Sequence, residues 1–279
     1  MRYGGLVTVL ALTMTGAMAA CNGSGSPDPQ RSVAATGAPE ATDPASEAPP
    51  PAPPPAKGRT EKEENEVFAF GYSYPDAAAA IPGLRDLLDQ RLDADKGDLV
   101  SSARSGKAEA AKDGFPYHAY ERQTDWKVVT NMPGWLSLSA QHYEFSGGAH
   151  GMTVFDSLVW DRGADTARKP ADLFTGQDAL RSAIQAPFCD ALDKQRAKKR
   201  GEPVARDSGQ MFSECIDPAA QTLILGSTNR RTFDRIGVLV APYEAGPYAE
   251  GSYEVTLPVT GKVMAALKPQ YRSAFSAQP

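Results

Sequence analysis

From residue 61 onward, bulky apolar side chains recur with two periods, and the switches between them mark the elements. Val67–Tyr74 sets large residues (Phe68, Phe70, Tyr72, Tyr74) between smaller ones and reads as a strand stopped by Pro75. Leu84, Leu88 and Leu92, with Leu87 beside them, form the stripe of a helix opening near Pro82. It is expected to continue toward Leu99 and Val100, with breaks at Gly97 and Gly106. Tyr117–Asn131 and Trp135–Phe145 read as two strands joined by the turn Met132-Pro133-Gly134. In the second, Leu136, Leu138 and Ala140 face one way and Ser137, Ser139 and Gln141 the other, which predicts one buried and one wet face. Thr153–Trp160 follows as a strand turned by Asp161-Arg162-Gly163.

Thr175-x-x-Asp178 has the form of a variant capping box, and Leu180, Ile184, Phe188 and Leu192 give the next helix its stripe. Pro187 is expected to kink or restart that helix, and its basic end, Lys194–Arg200 with the run Lys198-Lys199-Arg200, reads as a solvated terminus. Ile236–Val240 and Gly251–Leu257 are two more strands, and a short helix near Gly261–Leu267 closes the domain. Strands and helices mix without a βαβ rhythm, so the class is α+β with a mainly antiparallel sheet and packed helices. One compact unit of two sub-domains, 61–150 and 151–279, is expected.

The first sixty residues break these patterns. Arg2 and the uncharged run Leu6–Ala20 read as a signal peptide (1–20), because fifteen helical residues span only about 22 Å of a roughly 30 Å hydrocarbon core. Ala17-Met18-Ala19 permits cleavage before Ala20, whereas Met18-Ala19-Ala20-Cys21 resembles a lipobox that would lipidate Cys21 and anchor the chain to a membrane. Asn22 after the cysteine then points to the periplasmic face of an outer membrane. Residues 21–60 hold ten of the 23 prolines and no aromatic residue, the composition of a disordered tether. Its reach is about 35 Å as a coil and about 120 Å extended.

Overall the 279 residues are 41% hydrophobic and 23% charged, which excludes collagen, coiled coil and polytopic membrane protein. The net charge of −5 falls wholly beyond residue 60 and argues against nucleic acid, while suiting a cationic partner through steering. Three cysteines leave an odd thiol in an oxidising compartment unless Cys21 carries lipid; Cys189 and Cys215 can then pair, for roughly 3.5 kcal/mol in the chain-entropy account, or remain as two buried thiols.

Catalytic templates fail. There is no phosphate loop, nucleophile elbow, Ser-x-x-Lys or His-x-x-x-His, and no catalytic residue, metal ligand or cofactor is assigned. Two clusters remain. In Tyr143–Gly151 the pair Gly147-Gly148 lets a backbone approach a ligand and His150 offers a polar ring; the same residues also suit a tight connection. In Ala241–Gly251 the residues Tyr243, Glu244 and Tyr248 can form a binding rim or a rigid turn packed on the sheet. His150 with Glu144 or Asp156 would be the pair for an envelope hydrolase. A structural lipoprotein serving an envelope complex is a third reading.

These clusters carry a resemblance. Tyr143 with Ser146-Gly147-Gly148-Ala149-His150-Gly151, then Asp172-Leu173-Phe174, and finally Pro242–Gly251 resemble the paired domains of unknown function found in RsiV and PdaC, over residues 65–268. Residues 61–150 correspond to the PdaC N-terminal-like part and 151–279 to the RsiV C-terminal-like part. The resemblance implies an envelope binding module, since RsiV is an anti-sigma factor whose extracellular domain binds lysozyme. Lysozyme-like protein or peptidoglycan are therefore the candidate ligands. The deacetylase chemistry of PdaC belongs to a separate metal-dependent domain, and none of it carries over.

Overall fold

The computed structural model describes residues 55–278. The expected signal peptide, Cys21 and most of the expected tether fall outside the described residues. Six strands form the first sheet in chain order: β1 (Arg59–Glu64), β2 (Phe68–Tyr74), β3 (Tyr120–Asn131), β4 (Trp135–Phe145), β5 (Met152–Asp161) and β6 (Thr166–Arg168). β2 and β3 run parallel, and their crossover holds α1 (Asp76–Ala79) and the long α2 (Pro82–Asp113). The other neighbours are antiparallel. The second sheet is β7 (Thr222–Gly226), β8 (Arg235–Val240) and β9 (Tyr253–Pro258), with α3 (Gln177–Arg200) and α4 (Gly261–Ala266) beside it. The class is α+β with mainly antiparallel sheets, as the sequence pattern implies.

Alternation decides which face of the first sheet is buried. Phe68, Phe70, Tyr72 and Tyr74 of β2 meet Leu84, Leu88, Leu92 and Leu99 of α2, together with Trp126, Leu136, Leu138 and Leu158. Each such leucine contributes about 1.5–3 kcal/mol relative to exposure. A second buried cluster joins α3 (Leu180, Ile184, Phe188, Leu192) to Leu225, Val238 and Val255 of the second sheet. β7 lies against β3–β5, where Thr222 Oγ1 donates to the Phe155 carbonyl at 3.0 Å. The first sheet runs on through β5 and β6, so a boundary at residue 150 falls in the β4–β5 connection, inside one sheet.

Several expectations are corrected. α2 breaks at neither glycine: Gly97 is exposed with open space around it, and Gly106 is the point where the Tyr120 hydroxyl meets the helix, 2.3 Å from where a Cβ would stand. Alanine at Gly97 is therefore expected to stabilise the protein by about 0.5–1 kcal/mol, and alanine at Gly106 to destabilise it by about 1–3 kcal/mol through that overlap. Urea unfolding of the two variants checks the opposite signs. Thr175 does not cap α3. Its hydroxyl and amide both donate to the Ala266 carbonyl, Gly176 occupies the cap position, and Asp178 pairs with Arg181. α3 continues through Pro187. The folded region begins at Arg59, not after Thr60, because β1 is a charged edge strand held on α2 by Arg59–Asp89 (2.8 Å) and Lys96–Glu61 (2.8 Å). Cys189 and Cys215 form the expected disulfide, with Cα atoms 5.5 Å apart.

Candidate functional site

The two glycine- and tyrosine-rich segments, 93 residues apart at His150 and Tyr243, meet in space. Gly147 (φ +100°) and Gly148 (φ +90°) hold left-handed backbone that turns β4 into β5. Gly151 is obligatory for another reason: a Cβ there would stand 2.4 Å from the Tyr143 ring. His150 Nδ1 lies 2.9 Å from the Gly151 carbonyl, which can only accept, so that nitrogen carries the proton. In the neutral ring Nε2 then accepts from the Tyr243 hydroxyl at 3.2 Å. The imidazole stacks on Tyr248 with centroids 3.8 Å apart and planes 18° apart. Tyr243, at φ +70° and 46% exposed, completes an aromatic rim. Glu244 is exposed on the same turn, and its carboxylate bonds nothing among the described residues.

The rim is fixed from behind by α3, which corrects the reading of its basic end as merely solvated. Arg196 Nε donates to the Ala245 carbonyl at 2.8 Å, and Arg200 Nη2 donates to the same oxygen at 3.3 Å. Arg200 also pairs with Glu250 at 2.9 Å. Lys199 donates to the carbonyls of Glu250 (2.6 Å) and Ser252 (2.8 Å) while sitting over the Tyr253 ring. Burial alone would raise the Glu250 carboxyl, but hydrogen bonds from Arg200 and Tyr253 hold it below the usual glutamate range. Gly246 leaves room for that carboxylate, which a Cβ would overlap.

Next to the rim a cleft of about 560 Å³ opens between α2 and the lower end of the sheet. Asp95, Arg122, His142, Glu144, His150 and Val154 line it. Four of them stand on two rungs of the ladder that are two residues apart and so share a face, since Arg122 pairs with Glu144 and His142 with Val154. His142 Nδ1 is 2.9 Å from Thr124 Oγ1 and its ring meets Trp126 edge-on. Burial pushes the His142 imidazole down and the Asp95 carboxyl up. Sequence reasoning singled out neither residue as functional.

The acid–base pair suggested for a hydrolase is not assembled. Glu144 pairs with Arg122 (3.2 Å), Asp156 pairs with Arg91 (3.0 Å), and both nitrogens of His150 are engaged within the rim. Among the described residues no three His, Cys, Asp or Glu side chains gather as metal ligands, and no helix is long and apolar enough to cross a membrane.

Comparison with known proteins bears on the same region. Residues 61–153, which supply most of β1, the strands β2–β4 with α1 and α2, and the Gly147–Gly151 loop, match the family model described as Deacetylase PdaC. A solved member of the DUF3298 family from Bacteroides fragilis NCTC 9343 aligns over 78% of this chain and 96% of its own, with 15% identity and a TM-score of 0.50. The likeness is one of fold. A DUF3298 family protein from Pseudomonas aeruginosa PAO1 aligns over 81% of this chain and 99% of its own, with 16% identity and a TM-score of 0.45. No curated protein matches the chain.

Proposed function

We propose that this chain is an exported lipoprotein, anchored through lipid on Cys21 to the periplasmic face of the outer membrane, whose folded part is a non-catalytic binding module. The observation that carries the binding reading is the convergence of the Gly147–His150 loop and the Tyr243–Tyr248 turn into one exposed aromatic rim beside an open cleft. His150 serves there as a strut, with one ring nitrogen on its own loop and the other on the rim tyrosine. Exposed Tyr243, Met152 and Val154 give the rim and cleft the mix of aromatic and apolar surface found at the centre of protein interfaces. That surface supports a protein partner, and the resemblance of these segments to RsiV and PdaC makes a lysozyme-like protein the first candidate ligand and peptidoglycan the second.

Calorimetric titration with c-type lysozyme and co-sedimentation with purified sacculi test the module. Binding to at least one, weakened about tenfold or more by Tyr243→Ala, is the expected result; binding to neither overturns it. In cells, membrane fractionation of Cys21→Ala tests the anchor, with the variant expected in the soluble periplasmic fraction. Unchanged membrane association would remove the lipid from the proposal.

A further inference from the structure

The cleft floor holds a negative charge for which the fold supplies no partner. Asp95 reaches it from α2, half-buried, and among the described residues its carboxylate accepts no hydrogen bond and has no cation within salt-bridge distance. The nearby cations are committed elsewhere. Arg122 Nη1 donates to the Asp95 backbone carbonyl at 3.1 Å and Nη2 lies 3.2 Å from Glu144. Arg91 is held by Asp156 and lies over the Trp126 ring. His142 is tied to Thr124, and its burial favours the uncharged imidazole.

We propose that the cleft receives a basic side chain of a partner protein, a guanidinium or ammonium group, on the Asp95 carboxylate. This rests on the binding-module reading above and names the chemistry that the module recognises. The walls suit such a side chain. Val154, 50% exposed, and Met152, 37% exposed, offer apolar surface to an aliphatic stem, and the stacked His150 and Tyr248 rings stand at the mouth. Burial raises the Asp95 carboxyl and the like charge of Asp98 adds to the rise, while Arg122, His142 and Arg91 lower it without cancelling the effect. An arriving cation supplies that compensation as a charge-assisted hydrogen bond, and the net charge of −5 favours its approach.

The test uses the ¹⁵N-labelled full chain titrated with Nα-acetylarginine amide and with its citrulline counterpart, which has nearly the same shape without the charge. Saturable amide shifts at Asp95, His142 and Val154 are expected with arginine, about tenfold weaker with citrulline and about tenfold weaker in Asp95→Asn. Asp95 makes no side-chain bond for the fold to lose, so Asp95→Asn should melt at or slightly above the wild-type temperature. Equal response to citrulline, or arginine binding unchanged in Asp95→Asn, overturns the proposal. Because the probe is a single amino acid, its result stands apart from failure of the module to bind lysozyme or sacculi.

Discussion

Replacing Asp234 by alanine is expected to remove about 3–5 kcal/mol of stability, one of the two largest losses from a single polar side chain outside the cleft. The residue is completely buried at the entrance to β8. Its Oδ1 accepts from the Thr228 amide at 2.9 Å, and Oδ2 accepts from the Thr228 hydroxyl, from Asn229 (3.3 Å) and from Gln278 (3.0 Å). One carboxylate thus ties the β7–β8 turn to the C-terminal segment, while its own backbone carbonyl accepts from Val259 at the end of β9. Alanine would take the acceptor away from three kinds of donor and leave a gap at a fully buried position, although Thr228 and Asn229 themselves reach the surface. For a domain of this size the loss corresponds to a melting temperature lower by roughly 6–20 °C. Asp234→Asn keeps one acceptor but presents an amide to donors, so about half of that loss is expected. Chemical denaturation of the two variants measures both; a change below about 1 kcal/mol in Asp234→Ala would show that the knot contributes little.

How far the site is legible in the sequence depends on the distance its information travels. The burial of the first sheet is legible because parity is local: Leu136, Leu138 and Ala140 lie on one face of β4 whatever else the chain does. The same parity, carried two steps further, puts His142 and Glu144 on that face, where the apolar row turns polar. Trp126 to Thr124 to Arg122 in β3 changes at the same rungs, while β5 returns from Asp156 to Val154 and Met152, so the polar side of the cleft was written into two strands and its apolar side into the third. What parity could not provide is Asp95. It arrives from α2, across a crossover whose two glycines read as breaks until Tyr120 is seen packed against Gly106. β1 was hidden for the opposite reason: Arg59–Glu64 has no apolar residue to mark it and is held by ion pairs to α2 and by its ladder with β2. The meeting of His150 with Tyr243 is a long-range contact as well. Its two halves were each visible as motifs, while their convergence depends on the second sheet packing against β3–β5.

Replacing Arg196 should separate stability from the positioning of the rim. The side chain is fully buried in α3, and burial lowers its basicity despite the Asp193 carboxylate at 3.2 Å. It donates to the carbonyls of Ala245 and Glu214, so it joins the rim turn to the segment closed by the Cys189–Cys215 disulfide. Its Nη2 has no partner among the described residues, so the guanidinium carries a desolvation cost that these contacts do not fully offset. Arg196→Ala leaves a cavity as well as unpaired carbonyls and is expected to cost about 3–5 kcal/mol. Arg196→Met refills the volume without the charge, and its cost should fall to about 1–2 kcal/mol. Both variants lose the hydrogen bond to Ala245, leaving that carbonyl only the longer contact from Arg200. Tyr243 is held at positive φ by the turn that this carbonyl anchors, so both should release it to a similar extent. Amide hydrogen exchange across residues 241–251 should therefore accelerate in Arg196→Met nearly as much as in Arg196→Ala, although their melting temperatures differ. Exchange that follows stability alone, slow in the methionine variant and fast in the alanine variant, would mean that Arg196 fills space and that Arg200 with Glu250 holds the rim. Lowering the pH separates these two roles. Glu250 sits below its unfolded value, so its contribution is complete above about pH 4.3 and fades as the pH falls through its lowered folded value. If Arg196 anchors the turn, the wild-type rim should keep part of its protection through that window, and Arg196→Met should lose it.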